Sequence, residues 1–194
     1  IQLYLNILAD NRLVDSLQLL YQSSIDALLP AYIDYKMKAS GETFIPDANS
    51  TLRLTYGYIK GYNSADAVYQ FPFTSLKGIP EKISLGGDYM PCERLITQID
   101  NLQVSKFYDT SLKSVPVNML YNVDTTGGNS GSPVLNGDGL LVALNFDRTF
   151  EATVNDFEWN DSYSRSIGVD VRYILYVAKN VSNADYLVKE MGGE

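Results

Sequence analysis

Ser130 stands in the run Thr125-Thr126-Gly127-Gly128-Asn129-Ser130-Gly131-Ser132-Pro133-Val134, where glycines flank one serine just ahead of an apolar stretch. A hydroxyl on a glycine-hinged turn is how a nucleophile is presented to a carbonyl carbon. Gly127, Gly128 and Gly131 can take backbone angles closed to other residues, so the amides of Gly128 and Ser130 can converge beside the Ser130 hydroxyl as an oxyanion hole. The chemistry would be acyl transfer. The alternative is a Gly/Ser-rich hairpin that does none.

Near neutral pH a serine hydroxyl is a poor nucleophile without a base within hydrogen-bond reach, and histidine is the usual one. The chain has no histidine. Three explanations compete: a portion of a longer peptidase, a degenerate binding module, or a lysine acting as base. The first leads to the expectation that these 194 residues alone are inactive. A start at Ile1 rather than methionine is expected of a processed, proteolysed or truncated product.

Composition narrows the partners. A net charge of −8 without a run of five like charges argues against nucleic acid and anionic membrane. No stretch approaches the roughly 18 apolar residues of a membrane span. Cys92 is alone, so no intrachain disulfide is available. No metal or cofactor is expected. With 45% apolar and 20% charged residues, the chain has the balance of a globular protein of one or two domains.

These groups need elements to position them. Leu13, Leu17, Leu20, Tyr21, Ile25, Leu28 and Leu29 recur at helical spacing and predict an amphipathic helix over residues 1–40. Pro30 should interrupt it and open a second helix that ends before Gly41. Pro46-Asp47-Ala48-Asn49 marks a boundary, giving residues 1–45 as the end of a helical domain and 46–194 as the serine-bearing domain. From Ser50 the period becomes two: Leu52, Leu54, Tyr56 and Tyr58 alternate with Thr51, Arg53, Thr55 and Gly57, as in a half-buried strand. Further strands are expected over 68–73, 102–107, 115–121, 132–135, 140–146 and 164–169. Many short strands with Gly, Pro, Asn and Asp between them predict an antiparallel barrel, and Asn136-Gly137-Asp138-Gly139 a hairpin turn. Residues 74–112 show little periodicity and are expected as surface loop with a helix near 94–101. Asp170 should cap a helix through Tyr173, Ile174 and Val177, and Ser182 with Asp185 a final helix ending at Gly192.

The serine loop resembles the nucleophile loop of chymotrypsin-fold serine peptidases of the glutamyl-endopeptidase and S46 dipeptidyl-peptidase kinds. The resemblance to the S46 family of Gram-negative bacteria is carried further by Asp47-Ala48-Asn49-Ser50-Thr51-Leu52-Arg53-Leu54-Thr55-Tyr56-Gly57, by Lys60-Gly61-Tyr62, by Leu144-Asn145-Phe146-Asp147-Arg148, and by Ser166-Ile167-Gly168-Val169-Asp170-Val171-Arg172-Tyr173. It implies a chymotrypsin-like double β-barrel with an inserted helical domain. This chain would hold the end of that insert and the C-terminal part of the catalytic domain, mainly β after its helical N-terminal segment. The histidine and acidic members of the triad would lie in upstream sequence.

The resemblance also implies roles. Ser130 would be the nucleophile and Gly128 an oxyanion amide. Asn145, Phe146, Asp147 and Arg148 would line the substrate site, with Asp147 on the free α-ammonium and Arg148 on an acidic side chain at the second position. Adjacent strand residues point to opposite faces, but a strand end or bulge can turn both towards one ligand. An arginine at the place of Arg148 marks the branch that removes dipeptides ending in Asp or Glu; glycine there marks the branch preferring apolar residues. The partners implied are peptides with a free N-terminus and the upstream portion of the enzyme, with homodimerisation left open. The site of action implied is the periplasm or cell surface. A V8-like glutamyl endopeptidase and a non-catalytic peptide-binding module stand as alternatives.

Overall fold

The computed structural model describes residues 2–41, 51–99, 105–156 and 158–192. The chain divides into two compact units, Ile1–Arg53 and Leu54–Glu194. The boundary expected at residues 46–49 lies outside the described residues.

In the first unit α1 runs from Gln2 to Ser40, with Pro30 inside it. The expected break at Pro30 therefore does not occur. A proline removes one backbone donor and costs about 3 kcal/mol, but the Leu, Ala, Tyr and Ile turns on either side remain good enough helix to run through it. The stop does fall at Gly41, which takes φ +71 and donates its N–H to the Met37 carbonyl at 2.9 Å. The stripe from Leu13 to Leu29 is exposed along its length. No described helix is long and apolar enough to cross a membrane.

The second unit is built on a five-stranded antiparallel sheet of β3 (Phe73–Ser75), β4 (Pro116–Tyr121), β7 (Ser166–Asp170), β6 (Leu141–Arg148) and β5 (Pro133–Leu135), in that spatial order. A separate ribbon pairs β1 (Tyr62–Ala65) with β2 (Val68–Gln70). The sheet is open, with β3 and β5 at its edges, and does not close into a barrel within these residues. The strand expected over 68–73 is split between β2 and β3, because Pro72 has no N–H to give a ladder; its carbonyl accepts from Leu120 at 2.8 Å.

The alternating run before the ribbon does not form the expected strand. Leu52, Leu54, Tyr56 and Tyr58 are 77–96% exposed, and that stretch is not a strand. Alternation yields a half-buried strand only where a neighbouring layer covers the apolar face. Backbone pairing with a neighbour begins at Tyr58–Lys60, beside the end of β4, through Asn122 N–H to Tyr58 O (3.0 Å) and Lys60 N–H to Leu120 O (3.1 Å).

Residues 74–112 are also more than surface loop. They contain α2 (Gly78–Lys82) and α3 (Glu93–Ile99), and supply Leu76, Leu95 and Phe107 to a core completed by Val115 and Tyr176. These large apolar residues occur singly, so no period betrays them, yet each is buried by contact with distant segments. Of the strand expected over 102–107, residues 102–104 lie outside the described residues, and Phe107 sits in a turn.

β7 passes directly into α4 (Val171–Tyr176), capped as expected by Asp170, whose Oδ1 accepts the Arg172 N–H at 2.9 Å. A π-helical turn over Val177–Val181 follows, then α5 (Asp185–Glu190). Ser182 does not cap α5: Ala184 precedes the helix without a side-chain cap, because Asn183 at φ +52 turns the chain first. The Arg172 guanidinium binds Asp170 and Asp109 at 2.8 Å each, tying α4 to the loop before β4. Hydrogen bonds from Ser111 and Leu112, then the Arg172 contact, hold the Asp109 carboxyl well below the usual range. A depressed folded pKa stabilises above the unfolded value and loses that contribution as pH falls. Thermal denaturation of full-length protein should thus show Asp109→Asn less stable than wild type at pH 7, with the gap closing only below about pH 4. A gap constant down to pH 2 would remove the charge from the account.

Candidate active site

The hairpin turn at Asn136 joins β5 to β6, with Asn136 Oδ1 accepting from Asp138 N–H (3.0 Å) and Leu140 N–H (2.9 Å). Pairing along this hairpin continues past Pro133 into the serine loop: Gly131 N–H donates to Asn145 O at 2.7 Å, and Asn145 N–H to Ser132 O at 2.9 Å. The loop is therefore laid onto β6. It is cross-braced by Asn129 N–H to Thr126 O (3.2 Å), Ser132 N–H to Asn129 O (3.0 Å) and Thr126 N–H to Asn129 Oδ1 (2.9 Å).

Gly128 and Gly131 take φ +99 and +84; Gly127 does not use the left-handed region. An added Cβ would meet nothing within 4 Å at either position, so the backbone angle requires glycine there, not crowding. The amides of Gly128 and Ser130 donate to no described residue, which leaves the two expected oxyanion donors uncommitted. Ser130 is exposed, and its hydroxyl donates to the Phe146 carbonyl at 3.3 Å.

That contact sets the serine beside the rest of the expected site. The β6–β7 register shifts between Asn145, paired with Gly168, and Asp147, paired with Ile167, leaving Phe146 as the extra residue of a β-bulge. Directly paired residues share a face, so Asp147 falls on one face with Ile167 and Arg148 on the other with Ser166. Without the bulge the two would exchange faces. The bulge does not bring both to one side; it decides which of them shares Asn145's side. The Asp147 carboxylate is exposed and accepts the Arg148 N–H at 2.8 Å, Arg148 is half-buried, and Phe146 is exposed.

Asn145 is placed differently from its neighbours. It is 6% exposed, its Oδ1 accepting from the Tyr121 hydroxyl (2.6 Å) and its Nδ2 donating to the Asn129 carbonyl (3.3 Å). It lies beneath the serine loop. The approach to that loop is pinned as well: Ser166 Oγ donates to Val123 O at 2.7 Å, which leaves the Thr125 hydroxyl as donor in the buried 2.6 Å Thr125–Ser166 contact.

Arg165 is a further residue that sequence reasoning missed. At 1% exposure its guanidinium donates to the carbonyls of Lys60, Gly61, Asp161 and Ser164 and lies 5.7 Å from the centre of the Tyr62 ring. Desolvation pulls its pKa down while Asp161 opposes this. Its own carbonyl accepts the Thr149 N–H at 2.9 Å, so the same residue secures the chain just beyond Arg148. Burial, then the hydrogen bond to Glu151 at 2.6 Å, push the Tyr62 hydroxyl up to about 12. The only sequence signal was an arginine inside a strand-like run.

The described residues thus place a glycine-hinged serine on the edge hairpin of an antiparallel sheet, with the Gly128 and Ser130 amides paired to no described residue. The chain belongs to the Peptidase S46 family, whose pattern matches residues 1–193. It is 43% identical over 184 residues to an Asp/Glu-specific dipeptidyl-peptidase of Shewanella putrefaciens, covering 84% of this chain and 25% of that protein. It is 39% identical over 171 residues to one of Flavobacterium psychrophilum, covering 86% of this chain and 23% of that protein. The crystal structure of Porphyromonas endodontalis DPP11 in complex with the dipeptide Arg-Asp superposes with a TM-score of 0.76 at 36% identity, covering 86% of this chain and 25% of that one. The chain thus spans about a quarter of the length of the relatives it matches.

Proposed function

We propose that this chain is the serine-bearing, C-terminal portion of a periplasmic or cell-surface dipeptidyl peptidase that releases dipeptides ending in Asp or Glu through an acyl-enzyme on Ser130. The observation that carries this reading is the Ser130 hydroxyl resting on the Phe146 carbonyl, which sets the serine against the segment of β6 that continues into Asp147 and Arg148. The relatives' names support the dipeptidyl-peptidase activity and its preference for Asp or Glu.

In this reading Ser130 attacks the second peptide bond and the Gly128 and Ser130 amides take up the oxyanion. A histidine from the portion outside this chain, in a chymotrypsin-like catalytic domain, removes the serine proton. Asp147 neutralises the substrate's α-ammonium, which stands about two residues, roughly 7 Å, from the scissile carbonyl. Arg148 receives the acidic side chain; a guanidinium stays charged when desolvated and matches a carboxylate in bidentate fashion. Phe146 contributes an exposed apolar wall.

Asp147→Ala in the full-length enzyme tests the exopeptidase part. kcat/KM for reporters with a free amino terminus should fall strongly, while the residual rate on N-blocked reporters stays near wild type. An endopeptidase of the V8 kind would show no such difference, and equal losses on both reporters would refute the ammonium anchor. The isolated chain, lacking the base, serves as the inactive control.

A further inference from the structure

The contacts behind the serine loop converge on one buried side chain. The Tyr121 hydroxyl of β4 donates to Asn145 Oδ1 of β6 at 2.6 Å, although β7 lies between those strands. The phenol crosses β7 at Gly168, which pairs with Met119 on one side and Asn145 on the other. A Cβ on Gly168 would stand 3.0 Å from the Tyr121 ring edge, its hydroxyl and the Ala143 methyl, so a side chain there would push against the tyrosine's path. Burial raises the Tyr121 pKa, so the hydroxyl stays a donor at ordinary pH.

With Oδ1 committed to Tyr121, the nitrogen of the Asn145 amide is turned towards the loop, where it donates to the Asn129 carbonyl at 3.3 Å. The Ser132 N–H donates to the same oxygen at 3.0 Å. In a trans peptide the carbonyl and the following N–H point in opposite directions. An Asn129 carbonyl drawn inward by these two donors therefore turns the Ser130 N–H outward, to the side where an oxyanion would gather. The backbone of Asn145 fastens the loop on the other side of the serine, through Gly131 N–H and Ser132 O.

We propose that Asn145, oriented by Tyr121 across Gly168, is a positioning residue for the oxyanion hole: its side-chain amide selects the Asn129–Ser130 peptide orientation that aims the Ser130 N–H at the developing charge. This rests on Ser130 being the nucleophile. It changes what Asn145 is for, from touching substrate to setting a backbone donor.

Asn145→Asp in the full-length enzyme tests it. The substitution keeps the size and the acceptor for Tyr121, but turns a second oxygen towards the Asn129 carbonyl, replacing attraction by repulsion and favouring the flipped peptide. Loss of one oxyanion donor is expected to cut kcat roughly a hundredfold to a thousandfold while KM for a dipeptidyl reporter stays in place. Affinity for a dipeptidyl boronate, whose tetrahedral adduct needs the oxyanion donors, should fall in parallel. Rates are referred to sites titrated with a fluorophosphonate, and Tyr121→Phe, which removes only a hydroxyl, should show the same pattern more weakly and guards against a failure of Asn145→Asp to fold. Unchanged kcat per titrated site would overturn the proposal. So would a rise in KM alone, which would make Asn145 a substrate contact, or a fall in Tm with kcat and boronate affinity retained. If Ser130→Ala itself kept turnover, the nucleophile reading would fail; if Ser130 proved essential while both variants kept kcat, only the positioning role would fail.

Discussion

Ser130→Ala in the full-length enzyme is expected to abolish labelling by a fluorophosphonate and to lower kcat by about four to six orders of magnitude. Members of a nucleophile–base unit are non-additive, so removing the nucleophile removes nearly all that the base contributes as well. The loss should come without a loss of fold. Ser130 is exposed and, among the described residues, its hydroxyl bonds to the Phe146 carbonyl at 3.3 Å, so truncation is not expected to leave a buried group unsatisfied. Thermal midpoints of variant and wild type should therefore agree closely. Labelling that persisted at another residue would transfer the nucleophile elsewhere, and turnover that persisted without labelling would point to a mechanism without an acyl-enzyme.

Arg148→Gly is expected to change what the enzyme cleaves after, not whether it cleaves. Truncating one side of a desolvated guanidinium–carboxylate pair costs about 2–5 kcal/mol, or roughly thirtyfold to several thousandfold. kcat/KM for dipeptidyl reporters ending in Asp or Glu should drop by such a factor, while cleavage after Leu is maintained or improved. Arg148 is half-buried and paired with Ser166 in the sheet, so the substitution also touches the strand. Reporters differing only in their second residue separate the two effects. A uniform fall across Asp, Glu and Leu would make Arg148 a support of the loop. No change at any reporter would remove it from specificity altogether.

The serine loop, the hairpin turn at Asn136, the strands around β4 to β7 and the Asp170 cap were legible in the chain because each is written in neighbouring residues. Glycines at Gly128 and Gly131 answer to local φ, Asn136 binds its own turn, and Asp170 binds two residues on. Helical spacing likewise marks α1, and Pro30 does not break it.

What the sequence could not carry were features defined by partners far along the chain. Leu52, Leu54, Tyr56 and Tyr58 alternate like a strand, but pleating needs a paired neighbour, and among the described residues backbone pairing begins at Tyr58. Leu76, Leu95 and Phe107 have no period and yet are core. The bulge at Phe146 exists only in the pairing of β6 with β7, and it alone decides that Arg148, not Asp147, shares the face of Asn145. The reach of Tyr121 across Gly168 joins three strands that adjacent sequence cannot relate. Local chemistry fixes which groups a segment can offer; register and strand order, set by burial across the sheet, fix which of them meet.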